Sequence, residues 1–154
     1  MPEKQYWLMK SEPDVYSIDD LERDGSTSWE GVRNYGARNN MKSMRVGDEV
    51  LFYHSNAKPP GVAGIARVCR EAYPDHFAFD PRHKYFDAKS DQDEPRWYMV
   101  DVEYLAHLPR PVGLPDVKAE HALADMELIR YGRLSVQKVT KQEFDRIKKM
   151  GGMK

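Results

Sequence analysis

EVLFYHSNAKPPGVAGIARVCREAY, residues 49–73, holds two apolar runs separated by a loop with two adjacent prolines and a glycine. The first run, 49–55, is rich in β-branched and aromatic residues, which fit a pleated, half-buried surface. The second, 62–73, is of the same kind, and two strands joined by a Pro/Gly loop read as a hairpin. Downstream, WYMVDVEYL (97–105) alternates, with Tyr98, Val100, Val102 and Tyr104 on one side and Trp97, Met99, Asp101 and Glu103 on the other. That is the pattern of a half-buried antiparallel strand, which Pro109 and Pro111 should break. A helix is expected over Pro115–Met126, with Ala119, Ala122, Leu123 and Met126 on one stripe. A last strand follows over 133–139, and Thr140 with Glu143 makes a capping box for a terminal helix with Phe144 and Ile147 inward. Upstream, QYWLMK (5–10) reads as a first strand stopped by Pro13. Ser17 with Asp20 opens a short helix over Ile18–Arg23 that Gly25 closes, and Asn34 caps a second helix, Tyr35–Met44, that Gly47 ends. Strands arrive in runs between single short helices, without a βαβ rhythm. The predicted class is α+β with a curved or barrel-like antiparallel sheet.

The chain has 154 residues, the size of one domain, and 40% hydrophobic and 11% aromatic residues supply a true core. Residues 150–154, ending in GGMK, read as a disordered tail. Lys+Arg 24 and Asp+Glu 25 leave a net charge of -1, which argues against coating nucleic acid by bulk electrostatics but leaves room for a local basic patch. The single cysteine, Cys69, excludes a disulfide framework and a thiolate cluster. The N-terminus lacks a signal-peptide run, and no stretch approaches the ~20 apolar residues of a membrane span. A soluble, cytoplasmic protein with no membrane association is expected. With no heptad or exposed apolar stripe, it is expected to be a monomer.

Little in the sequence demands catalysis. Neither GxxxxGK[ST] nor GxGxxG occurs, and no GxSxG elbow is present. His54, His76, His83, His107 and His121 show no paired metal spacing, and the acidic run Asp87, Asp91, Asp93, Glu94 lacks the turn glycine and closing glutamate of a calcium loop. No metal and no cofactor are expected. Cys69, among Val68 and Ala66, reads as a buried, inert thiol. Lys10 and Glu12 share a strand face if the strand persists that far; they could form a proton-transfer pair, although a modest salt bridge is the simpler account.

Three stretches stand out. WEGVRNYGARNNM (29–41) gathers planar, amide and cationic side chains around Gly31 and Gly36, and a helix from Tyr35 would align Arg38, Lys42 and Arg45. The N-terminus of that helix would add N–H groups suited to an anion; a solvated helix face would look the same. In FYHSN (52–56), Phe52 and His54 share one face and Tyr53 and Ser55 the other, and one of these sets could line a cleft rather than a packed wall. In YGRLSVQ (131–137), Arg133, Ser135 and Gln137 offer a guanidinium, a hydroxyl and an amide in a row, as a base-reading strand or an ordinary exposed one would.

Together, YWLMKSEP, WEGVRNYGARNNM, VLFYHSN with PPGVAGIA, AYPD with FDP and YFD, PRWYMVDVEYL and GRLSVQKVT resemble the EVE domain family, in order, from about Gln5 to Ile147. The resemblance implies one PUA-like domain over 1–154, a mixed or antiparallel pseudo-barrel with short flanking helices, related to the YTH and ASCH domains. It implies non-catalytic binding of a modified nucleobase, 5-methylcytosine among the candidates, in DNA or RNA. An ASCH-like hydrolase of a modified nucleoside using Lys10 and Glu12, or a protein-partner-binding module, are the alternatives. One departure is Gly36, where many relatives carry Gln, which would enlarge the pocket. An extruded base exposes two faces and a polar edge. On this reading Trp7, Trp29, Tyr35, Tyr53 and Trp97 are the candidates for its faces. Lys10, Ser11, Asn34, His54, Ser55 and Ser135 are the candidates for its edge, and Arg33, Arg38, Lys42 and Arg133 for the neighbouring phosphates.

Overall fold

The computed structural model describes residues 4–89 and 95–153. The 49–73 stretch forms the expected hairpin: β3 (Glu49–His54) and β4 (Gly61–Pro74) pair antiparallel, from Glu49 opposite Arg67 to His54 opposite Gly61. On the far side of β4, β5 (Tyr98–Gly113) pairs antiparallel, and the short β2 (Ser26–Ser28) pairs with β5. On the other flank of β3, β1 (Tyr6–Ser11) pairs in parallel, and β6 (Val136–Val139) pairs antiparallel with β1. The order β2-β5-β4-β3-β1-β6 is an open, mixed six-stranded sheet; among the described residues it does not close into a barrel. The parallel β1–β3 pair makes the sheet mixed, as the family resemblance implies, where the strand pattern alone suggests an antiparallel one. Parallel neighbours need a long crossover, and residues 12–48 provide one through α1 (Ile18–Asp24), β2 and α2 (Tyr35–Ser43).

The helix starts follow from their caps. Ser17 with Asp20 and Thr140 with Glu143 both form reciprocal capping boxes, the second opening α5 (Lys141–Met150), and Asn34 Oδ1 accepts from the Ala37 amide at 2.9 Å. The predicted 115–126 helix is broken into α3 (Leu114–Ala119), a 3-10 turn over His121–Leu123, and a separate α4 (Glu127–Arg130). Glu120 leaves the helical region (φ -87°, ψ 112°) and its carboxylate caps the Ala122 amide. Ala119 and Ala122 are exposed as a result. Pro109 and Pro111 do not end β5. The pairing jumps from Val62 opposite Val112 to Gly64 opposite His107, so both prolines fall in the unpaired bulge, where no ladder N–H is required. β6 begins later than expected because residues 131–134 form a turn, with the Leu134 amide on the Tyr131 carbonyl.

Side chains alternate across the sheet and both faces are covered. Trp7, Met9, Val50 and Phe52 pack with Leu21 of α1 and Met41 of α2, whereas Leu8, Leu51, Tyr53 and Ile65 pack with Val117, Leu128, Phe144 and Ile147 on the opposite side. Residues 150–153, expected as part of a disordered tail, are anchored to the second core. The Gly151 carbonyl accepts from the Arg110 amide at 3.1 Å, the Met153 amide donates to Lys148 at 2.9 Å, and Met150 and Met153 pack against the cluster. Asp91, Asp93 and Glu94 of the acidic run lie outside the described residues. Asp87 is described, and its carboxylate accepts from the Trp97 indole at 2.6 Å.

Two polar contacts, one buried and one half-buried, fasten the elements. Asp48 accepts from the Gln5 amide, the Trp7 indole and the Arg45 amide, each at 3.0 Å. Replacing Asp48 by Ala orphans all three donors and should cost roughly 3–5 kcal/mol in chemical denaturation. At the end of β3, His54 Nε2 accepts from the Ile18 amide at 3.1 Å, tying the start of α1 to the sheet. Burial lowers the His54 pKa from 6.5, against an opposing pull from Asp19. Above that value the imidazole is neutral in folded and unfolded chains alike. Below it the unfolded chain takes up a proton that the folded one resists, so stability is lost as pH falls toward the folded pKa. Melting curves between pH 7.5 and 5 should therefore show a smaller acid-side loss for His54→Gln than for the unsubstituted protein.

Candidate functional site

Residues 29–34, between β2 and α2, are held rigidly. The Trp29 amide donates to the Val100 carbonyl at 2.7 Å, and the Gly31 amide to Asp75 Oδ2 at 2.8 Å. Gly31 has φ +81°, and a Cβ there would stand 2.4 Å from the Tyr85 ring, so both the backbone angle and the close approach require glycine. Arg33 completes the tie: one guanidinium nitrogen lies 3.0 Å from Asp75 Oδ2 and the other donates to the Tyr85 carbonyl at 2.6 Å. Asp75 is fully buried, and its second oxygen accepts from the Phe77 amide at 3.0 Å. A buried carboxylate persists only when satisfied in this way.

A cleft of about 660 Å³ opens between this loop and residues 10–16, within the ~300–1,000 Å³ range of small-molecule sites. Trp29, Tyr85, Tyr16 and Val15 supply its ring and apolar walls, and Ser11, Ser28, Ser55 and Ser135 its hydroxyls. Two backbone bonds, Ser55 amide to Ser11 carbonyl and Lys10 amide to Ser135 carbonyl, each 2.9 Å, bring three of those serines together. Trp29 is 9% exposed and meets Phe52 edge-on at 5.4 Å. Its indole N–H has no protein partner among the described residues and is not sealed in the core, whereas the Trp7 and Trp97 indoles bind Asp48 and Asp87. The Tyr16 hydroxyl donates to Asp24 at 2.9 Å; burial first, then that carboxylate, pushes its pKa up to about 12. Lys10 donates to the Gly132 carbonyl at 2.5 Å, and burial lowers its pKa. Among the described residues no three His, Cys, Asp or Glu side chains are grouped to hold a metal ion.

Of the expected base-binding residues, the cleft gathers Lys10, Ser11, Trp29, Ser55 and Ser135, and it also takes in Arg33. The others have different positions. Trp7 is core, its indole spent on Asp48, and Tyr53 points to the opposite face of the sheet. His54 is engaged with α1, and Asn34 is a helix cap. Tyr35 stacks on the buried Trp97 with centroids 5.1 Å apart, both outside the cleft. Among the phosphate candidates, the charge of Arg33 is neutralised by Asp75. Arg38 donates to the Arg96 carbonyl and packs over Tyr35, Lys42 lies over the Tyr98 ring, and Arg133 is exposed; none of these three lines the cleft. Gly36 is exposed on α2, and a Cβ there would meet Asn34 and Leu134, so it does not enlarge the pocket. Tyr16, Ser28, Glu30, Lys84 and Tyr85 were not foreseen as lining residues. The polar STS immediately before Trp29 was the available signal for Ser28; Tyr85 arrives through a long-range tie with no local pattern.

The EVE domain model matches residues 5–150. Human thymocyte nuclear protein 1 is 41% identical over 159 residues, covering 91% of this chain and 71% of its own length. The chain spans 66–71% of the curated vertebrate relatives' length. A hypothetical protein from Leishmania major superposes with a TM-score of 0.93 at 48% identity, over 97% of this chain and 95% of its own. Human THYN1 in complex with 5-methylcytosine-containing DNA superposes with a TM-score of 0.93 at 39% identity, over 98% and 99%. An ASCH protein from Zymomonas mobilis, at 12% identity and a TM-score of 0.53, shares the fold alone. The relatives' name also corrects the expected cytoplasmic location, since these proteins are called nuclear. No helix among the described residues is long and apolar enough to cross a membrane. With its family model matched almost end to end and its sheet superposed on those of such relatives, this chain belongs to the EVE domain family.

Proposed function

We propose that this protein is a non-catalytic reader of a modified pyrimidine of the 5-methylcytosine type in DNA or RNA, taking one unstacked base into the cleft beside Trp29. The observation that carries the reading is Trp29 itself, an aromatic wall whose indole N–H has no partner among the described residues, in a cleft also lined by Ser11, Ser28, Ser55 and Ser135. The DNA complex of the human relative supports it. Stacking on such a ring is worth ~1–3 kcal/mol, and a methyl group buried against Val15 or Val32 adds ~0.8 kcal/mol. Lys84 and Lys10 lie at the cleft, and Arg38, Lys42 and Arg133 outside it are assigned to the flanking phosphates. Because extrusion from a duplex costs a few kcal/mol, single strands and easily flipped sites bind best.

A hydrolase reading draws on one observation: Lys10 and Glu12 both line the cleft, and burial lowers the pKa of Lys10. Its ammonium, however, is engaged by the Gly132 carbonyl and lies 5.6 Å over the Tyr53 ring. Product formed from modified nucleosides and lost in Lys10→Ala would replace the reader with the enzyme.

Titration of single-stranded oligonucleotides should show about fourfold tighter binding to one 5-methylcytosine than to cytosine, the equivalent of one buried methyl. Affinity should fall with added salt. Trp29→Phe, which shrinks the plane and removes the N–H, should weaken binding at least threefold when measured at a temperature where melting curves show the variant fully folded. Equal affinity for modified and unmodified strands, or an unchanged Trp29→Phe, overturns the reading. Gly31→Ala should displace Tyr85 and weaken the same binding.

A further inference from the structure

We propose that Glu30 is the residue that selects an amino-bearing pyrimidine, so that the cleft takes 5-methylcytosine and rejects thymine, which carries the same methyl group. The inference rests on the reading that the cleft accepts a base. Thymine and 5-methylcytosine have the same ring and C5 methyl, so neither stacking on Trp29 nor a snug apolar wall separates them. They differ at position 4, where cytosine presents an N–H donor and thymine a carbonyl acceptor. Separation requires a fixed acceptor.

Glu30 supplies one. Half-buried, it lines the cleft as Trp29 and Tyr85 do. Both neighbours in the chain are pinned, Trp29 by the Val100 carbonyl and Gly31 by Asp75, so the backbone that carries Glu30 cannot drift. Its Oε2 accepts from the Ser28 hydroxyl at 3.3 Å, which orients the carboxylate. No Lys, Arg or His lies within ion-pair distance of it among the described residues, although Arg33 and Lys84 line the same cleft; Arg33 is committed to Asp75. An oriented carboxylate without an ion-pair partner, in a cleft that also has aromatic walls, keeps free acceptor sites for an exocyclic amine, and it repels a carbonyl oxygen.

The test uses single-stranded oligoadenylates with one central base: 5-methylcytosine, cytosine or thymine, and an all-adenine strand as baseline. The unsubstituted protein should bind the 5-methylcytosine strand about tenfold or more tighter than the thymine strand, the effect of a hydrogen bond to a charged group. Glu30→Gln, whose amide can also donate to a carbonyl, should cut that ratio below threefold while keeping the preference for 5-methylcytosine over cytosine. Glu30→Ala should lose the discrimination as well, mainly by weakening the 5-methylcytosine strand. Equal binding of the 5-methylcytosine and thymine strands by the unsubstituted protein, or an undiminished ratio in Glu30→Gln, overturns the role of Glu30 and leaves the reader intact. Failure of every strand to exceed the all-adenine baseline overturns both.

Discussion

Asp75 is a fully buried carboxylate that accepts from the Gly31 amide, the Arg33 guanidinium and the Phe77 amide, and the wall formed by residues 29–33 and 85 exists because of it. Breaking a buried pair of this kind costs about 3–5 kcal/mol, since the partner charge is left uncompensated. The tie joins two segments more than forty positions apart. Arg33 turns a loop that has no secondary structure of its own into a rigid frame, and Trp29 and Glu30 inherit that rigidity. The positive charge spent in this way is not available to a ligand.

The parallel β1–β3 pair explains why the cleft lies where it does. Both strands run in one direction, so their carboxyl ends, Ser11 and His54–Ser55, emerge side by side. An antiparallel pair would have set the end of one strand against the start of the other. Ligand sites in open sheets commonly form beyond the carboxyl ends of parallel strands, where the chain must turn away and leave backbone and side chains unpaired. Here β6 adds Ser135 next to Lys10, and the 29–33 loop faces these groups across the opening.

Element identity was legible wherever local chemistry decides it. The 49–73 hairpin, both capping boxes and the Asn34 cap are short-range signals, and they hold. Long-range pairing overrode local rules at Pro109 and Pro111, tolerated because a bulge removes the need for their missing donors. Of the cleft lining, residues at strand ends were legible: Lys10 and Ser11 close β1, Ser55 follows β3 and Ser135 precedes β6. Aromatic richness misled, because Trp7, Tyr53 and Trp97 are packed rings and composition does not distinguish a packed ring from an open one. Tyr85 and Lys84 reach the cleft through long-range ties such as the Arg33 bond to the Tyr85 carbonyl and the Trp97 bond to Asp87, which a local sequence pattern does not reveal.

The chain's three indoles occupy three distinct surroundings. Trp7 donates to Asp48 in the core, and Trp97 donates to Asp87 beneath Tyr35. Trp29 borders the cleft with its N–H unclaimed. Of the three rings, only that of Trp29 is part of the cleft lining among the described residues. A base entering the cleft as proposed would meet one indole of the three, so the intrinsic fluorescence of the unlabelled protein is a readout of that site.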